Sequence, residues 1–340
     1  MTRMPATLVS FATWLAVGWL ALVAAVGLVA PWLPLPYPPA TPDLLHVAAP
    51  PSWVGPGAHY LGTDPAGRDV LAELLFGARL VVMLSLPATA LATALGAVTG
   101  GAAGFWGNRG LQLPLPLALL TAAALGWVLA LPHWPLLAGL LIALSLGYWL
   151  AAKWQLHQGR RPTLLAWPVP LDSLLLGTTT LLGAVPRLVV VLALAAGPPL
   201  GLKSLLAVMA LVAWPEAARL VRGQMLRVRV QPYLEAAWAL GLPASRVWWR
   251  HALPTACQPL WAFAPLSLAG LIGLESTLAF LGVGLLPTTP SWGHLLSTLR
   301  QEPGAWWLIV PPGLALLLTL LALQRVAQWL AGRQNSAKNS

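Results

Sequence analysis

Runs of about 20 apolar residues recur along this 340-residue chain, separated by short stretches in which Pro, Gly, Arg and Asp concentrate. A helix rising about 1.5 Å per residue needs about 20 mostly apolar residues to cross roughly 30 Å of hydrocarbon, so each run predicts a membrane-spanning helix. Eight spans are expected, near residues 8–30, 80–104, 111–131, 134–152, 173–196, 203–221, 260–284 and 305–330. The short alternating segments of a transmembrane barrel are missing from the pattern. The fold class is therefore all-α, a polytopic membrane protein, and an even number of spans puts both termini on one side. The first run follows Arg3 and reads as an uncleaved anchor, because it is too long for a signal peptide and Pro31 to Pro36 give a poor cleavage context.

Composition agrees, with 58% hydrophobic and 8% charged residues, and charge then orients the helices. With the N-terminus inside, one side collects Arg3, Arg109, Lys153, Arg160, Arg161, Arg219, Arg222, Arg227, Arg229, Arg246, Arg250, Arg325, Arg333 and Lys338. The other keeps Arg68, Arg79, Lys203 and Arg300. This positive-inside bias predicts cytoplasmic N- and C-termini and places residues 222–258 in the cytoplasm. The net charge of +10 is thereby explained by cytoplasmic loops, and no nucleic-acid partner is expected. The single cysteine, Cys257, excludes an internal disulfide; no His or acidic cluster surrounds it, and no metal site is expected.

Two polar islands interrupt the apolar pattern. Outside, residues 31–70 end in His59-Tyr60-Leu61-Gly62-Thr63-Asp64-Pro65-Ala66-Gly67-Arg68-Asp69-Val70, where Asp64-Pro65 and Gly67 form turns. The simple reading is a surface loop in which Arg68 pairs with Asp69 or Asp64. Inside, Pro232 suits the first turn of a short helix and Gly241 its stop. Tyr233, Ala236, Ala237 and Leu240 recur at helical spacing as one apolar face. Glu235 lies in the first turn, where the helix dipole favours a carboxylate. A second helix is expected from about Pro243 to Ala252, with Arg246 and Arg250 on one side and Pro254 ending it. From the residues alone, this helix pair suits docking to a partner and lying on the membrane surface, anchored by Trp248 and Trp249, equally well.

The island also carries a pattern: Glu235-Ala236-Ala237, three residues, Gly241, nine residues, then His251-Ala252-Leu253-Pro254. It resembles the EAA loop of inner-membrane permease subunits of binding-protein-dependent ABC importers, and His251 is similar to the peptide and nickel subfamily, the C-type dipeptide and oligopeptide permeases. Supporting segments are Leu61-Gly62-Thr63-Asp64 with Gly67-Arg68-Asp69-Val70, Ala218 to Gln224, Glu275 to Gly284, and Pro290-Ser291-Trp292-Gly293. The resemblance covers residues 59–108 and 172–330. It implies the type I permease fold, with an anchor and external loop over 1–58, the first part of the core over 59–108 and the remainder over 172–331. A cytoplasmic tail follows at 332–340. Residues 109–171 depart from the family as an inserted transmembrane hairpin with a cytoplasmic loop. Leu171-Asp172-Ser173 and Val185-Pro186-Arg187 also depart from the family's usual pattern.

The resemblance further implies that Tyr233, Glu235, Ala236, Ala237, Leu240, Gly241, Arg246, His251, Leu253 and Pro254 couple to a separate cytoplasmic ATPase subunit. That subunit uses ATP and Mg²⁺; this chain binds no cofactor and is not itself an enzyme. Its other partners would be a second, homologous permease, a periplasmic substrate-binding protein and membrane lipids. Gly62, Asp64, Gly67, Arg68 and Asp69 form the external motif. Charges inside spans are costly, about 2.5–3.5 kcal/mol each at a helix centre. Arg187 and Glu275 are therefore candidates for the translocation path or for pairing with each other, and Glu216 for pairing with Arg219. Gly197 to Ser204 only faintly echoes a phosphate loop, because Gly does not directly precede Lys203. A self-contained secondary transporter or channel is the alternative, but it should show internal repeats and several mid-membrane polar sites.

Overall fold

The computed structural model describes residues 11–39, 41–54, 57–108, 110, 112–114, 166–195, 201–286 and 288–339. They form α1 (Phe11–Val29), α2 (Val70–Leu80), α3 (Leu86–Trp106), β1 (Gln112–Pro114), β2 (Ala166–Pro168), α4 (Leu171–Ala184), α5 (Arg187–Ala195) and α6 (Leu202–Val228). These are followed by α7 (Pro232–Ala239), α8 (Ala244–Val247), α9 (Leu253–Ala256), α10 (Leu260–Leu281), α11 (Trp292–Thr298) and α12 (Val310–Asn339). Five helical stretches are long and apolar enough to cross a membrane: Phe11–Trp32, Val70–Trp106, Leu202–Val228, Leu260–Leu281 and Trp306–Gln334. The bent pair α4 and α5 makes a sixth candidate. The expected hairpin spans at 111–131 and 134–152 lie outside the described residues, except that 112–114 are strand. There Pro114 favours extended backbone at the residue before it.

Two expected spans differ in form. The second starts at Val70, ten residues early, because Asp69 caps its N-terminus by accepting from Ala72 N–H. Glu73 and Arg79 dilute the hydropathy of α2 without breaking the helix, which passes through a π turn at Val81–Ser85 into α3. The fifth is not straight: α4 and α5 meet at 82° across Val185 and Pro186. Pro186 lacks the N–H that would continue the ladder, and the residue before a proline avoids the helical region.

The chain divides into two compact units, Met1–Gly101 with Thr178–Ser340 and Ala102–Gly177. In the first, α12 packs along α1 and α10, and Trp19 donates from its indole to Thr319 at 3.1 Å. A core of Leu84, Ala88, Ala92, Val191, Leu205, Met209, Leu271 and Leu278 joins α3, α5, α6 and α10. Small residues let backbones touch: a Cβ on Gly96 would lie 2.5 Å from that of Ala217, and one on Gly100 would collide with the Ala218 carbonyl. Lipid supplies no hydrophobic drive between helices, so close packing of this kind is what holds a membrane bundle together. In the second unit, β1 and β2 pair antiparallel with Leu113 opposite Trp167. Asn108 there accepts from Ser173 N–H at 2.9 Å.

Candidate functional site

The loop after α6 folds as the pattern predicts at its first helix. Pro232 opens α7, where its missing N–H costs nothing. Gly241 closes it at φ +74°, with Gly241 N–H donating to the Trp238 carbonyl at 2.9 Å and Leu242 N–H to that of Ala237 at 3.3 Å. A Cβ on Gly241 would meet nothing within 4 Å, so the left-handed backbone alone asks for glycine here.

The second helix runs further than expected. After α8 it widens into a π turn at Trp248–Ala252, with Leu253 N–H bonding back to the Trp248 carbonyl. It then continues through Pro254, in the first turn of α9, to Ala256. The wide turn relieves the clash by which proline normally breaks a helix, so Pro254 bends the ladder and does not end it.

The two helices present different faces. Leu234, Ala237, Val247, Trp248, Ala252 and Leu253 are buried, and Leu253 and Trp248 lie over Gly101. Tyr233 O–H reaches Thr255 at 3.4 Å, and Gln334 of α12 donates to the Gln258 carbonyl. Glu235, Ala236, Arg246 and Pro254 face outward and His251 is half-buried. Tyr233 is 44% and Leu240 81% exposed. The predicted apolar face is thus divided: Ala237 fixes α7 from within, while Tyr233, Ala236 and Leu240 stay outside. Among the described residues the Glu235 carboxylate makes no hydrogen bond or ion pair. Cys257 is half-buried, and burial raises its thiol pKa above the usual value.

The span charges do not pair as expected. Arg187, at the bend between α4 and α5, forms an ion pair with Glu216 of α6 and none with Glu275. Arg219, the expected partner of Glu216, donates to the Thr179 carbonyl at 3.3 Å. The bend explains the exchange, because it turns the start of α5 across α6 at Pro215 and Glu216, which line one cleft with Arg187. Glu275 is buried in α10, where it accepts from Ser276 O–H at 3.3 Å. It lines a cavity with Leu205, Thr289, Ser291 and His294. Burial and Arg68 lower the pKa of the His294 imidazole, with Asp64 opposing. The Pro290 to Gly293 motif turns out to be architectural. Ser291 caps α11, Trp292 donates to the Leu74 carbonyl at 2.8 Å, and Gly293 lies against the Ser276 backbone.

The external motif is tightly built. One Asp64 oxygen accepts from the N–H groups of Ala66 (2.8 Å) and Arg68 (2.7 Å), so Asp64 meets Arg68 through its backbone. Asp69 caps α2 with one oxygen and takes His59 Nδ1 at 2.8 Å on the other. Gly62 and Gly67 both have φ +78°, and a Cβ on Gly67 would strike the Asp43 backbone. Trp307 donates to the Thr63 carbonyl at 3.1 Å. Three residues to which sequence patterning gave no role meet here: Asp43, His46 and His59 bring their ligand atoms within 4.8 Å of one another. His46 and the Leu45 N–H hold the Asp43 carboxyl below the usual carboxylate range. The available signal was two of the chain's six histidines falling in the same external segment as three aspartates, Asp43, Asp64 and Asp69.

Comparison with known proteins agrees with this architecture. Residues 163–336 match the family described as the binding-protein-dependent transport system inner membrane component. A Brucella suis protein provisionally named a peptide permease is 28% identical over 301 residues, covering 87% of this chain and 78% of that one. The di/tripeptide transport system permease protein DppC of Pseudomonas aeruginosa is 29% identical over 312 residues, covering 91% and 82%. The chain belongs to the binding-protein-dependent transport system inner membrane components, and is a multi-pass permease subunit of an ATP-driven importer and not a self-contained transporter.

Proposed function

We propose that this permease forms half of a pathway importing peptides or a similar small solute, a nickel chelate among them, and is driven through the α7 helix by a cytoplasmic ATPase subunit. The observation that carries this reading is the division of faces on α7. Leu234 and Ala237 mount the helix rigidly, while Leu240, Tyr233 and the unpaired Glu235 face outward, as suits a groove on another protein. Docking is favoured over lying in the membrane surface because the outward face combines a carboxylate, which anionic headgroups repel, with apolar side chains. ATP and Mg²⁺ belong to the ATPase subunits, and this chain binds no cofactor. A second, homologous permease would complete the pathway and a periplasmic binding protein would deliver the solute. The basic side, with both termini, faces the cytoplasm. The preference for peptides comes from the relatives named above.

Within the spans, Arg187 with Glu216 lines the path at the bend, whereas Glu275 with Ser276 holds α10 against α11. The test is Glu235→Lys in the reconstituted complex. Substrate-stimulated ATPase activity is lost while helix content is retained; full stimulation in the variant would overturn the reading. Thermal stabilisation of the binding protein by peptides against metal chelates distinguishes the solute classes.

A further inference from the structure

The external loop holds a group of side chains that transport by itself does not require. His59 is 1% exposed, yet its backbone is tied on both sides: Ser52 Oγ accepts from His59 N–H at 3.0 Å, and the His59 carbonyl accepts from Ser52 N–H at 2.9 Å and Gly62 N–H at 3.0 Å. Tyr37 stacks on the ring at 4.0 Å between centroids. A proton on Nδ1 serves Asp69 at 2.8 Å and leaves Nε2 as a bare lone pair. That lone pair faces Asp43 Oδ2 at 3.4 Å. His46 Nδ1 approaches the same oxygen at 2.9 Å, with its ring laid over Gly57. Two imidazole nitrogens and a carboxylate oxygen therefore converge on one point.

A tetrahedral zinc ion with ligands at about 2.0–2.1 Å spaces its donor atoms by about 3.3 Å. Asp43 Oδ2 stands 2.9 Å from His46 Nδ1 and 3.4 Å from His59 Nε2, and all three atoms lie within 4.8 Å of one another, so a small side-chain adjustment brings them onto one ion. The carboxylate behind His59 is the usual second-layer partner of a metal-bound imidazole: it fixes the tautomer and strengthens the donor. We infer that Asp43 Oδ2, His46 Nδ1 and His59 Nε2 form a binding site for a divalent transition metal of the zinc class, with Asp69 positioning His59 and a fourth position open to solvent. Two imidazoles with one carboxylate suit zinc better than the all-oxygen sites of calcium or magnesium. The ion would pin the segment from Asp43 to His59 onto the N-terminus of α2 through Asp69, tying the external loop to a membrane helix. The site does not depend on the coupling role of α7, and the two succeed or fail separately.

The test uses the full chain in detergent, purified without a histidine tag and stripped with a chelator. Zn²⁺ is titrated in competition with a chromophoric chelator, and Co²⁺ replaces it for visible spectra. One equivalent of Zn²⁺ per chain is expected, with the intense absorption of four-coordinate Co²⁺. His46→Ala, at the exposed edge, weakens binding at least a hundredfold and Asp69→Asn about tenfold. His46→Cys restores binding and adds a sulfur-to-cobalt charge-transfer band. A wild-type chain that takes up no stoichiometric Zn²⁺, or a His46→Ala chain that binds as tightly, overturns the site and leaves a proton-sharing network of His and Asp in its place.

Discussion

The external loop between Asp43 and Asp69 and the loop between Pro232 and Pro254 are both polar islands in an apolar chain, but they spend their polar groups in opposite ways. Outside, Asp64, Asp69 and His59 are buried, and their side chains turn inward to neighbours in and beside the segment. In the other loop, Glu235, Leu240 and Arg246 face outward from a pair of helices whose far side is firmly seated. A segment whose polar groups turn inward on one another offers little to another protein. One that holds charge and large apolar surface outward on a rigid mount is a surface prepared for another protein, since unpartnered apolar area of that kind marks interaction sites.

If the contrast is right, changes in the two loops should fail differently. The largest effect is expected from Leu240→Asp: stimulated ATPase activity of the assembled complex falls at least tenfold, while the melting temperature of the isolated chain stays within about 2 °C, because Leu240 touches little of its own chain. Equal loss of stability would erase the distinction. Next, Asp69→Ala removes both the α2 cap and the partner of His59, at about 1 kcal/mol for the cap and 1–3 kcal/mol for the stranded imidazole. Thermal unfolding should shift down while docking of the ATPase is retained.

The two glycines sharpen the comparison. Gly67 and Gly241 share left-handed backbone, φ +78° and +74°, but only Gly67 is pressed against other atoms. Gly241→Ala should cost about 1 kcal/mol of backbone strain, and Gly67→Ala clearly more in parallel melts, since the Asp43 backbone must also move. Equal costs would mean that the external loop is looser than described.

The smallest effect is on pH. His294 has a lowered folded-state pKa, so its contribution to stability is complete above its ordinary value of about 6.5 and is lost as pH falls from there. Stability should fall modestly from pH 7 to 5, and His294→Gln should flatten that slope.

Much of this was legible in the chain. Periodicity and length located the apolar helices among the described residues, and Pro232 and Gly241 bounded α7 because capping is a local property. What escaped was non-local. The start of α2 at Val70 depends on a cap from Asp69, which hydropathy does not register. The Arg187–Glu216 pair follows from the 82° bend, whose angle Pro186 permits but does not set. Pro254 passes through a helix because a π turn absorbs it, a feature with no mark in the pattern. Asp43, His46 and His59 meet through irregular backbone, which has no period to read.

The central claim is that the outward face of α7 contacts the ATPase subunit. In a Cys257→Ser background, Leu240→Cys carrying a short photo-crosslinker should join this chain to the ATPase in native membranes, and Leu45→Cys in the external loop should not. Absence of that product from Leu240→Cys, together with labelling of position 240 by an impermeant reagent added outside intact cells, would contradict both the docking surface and the orientation.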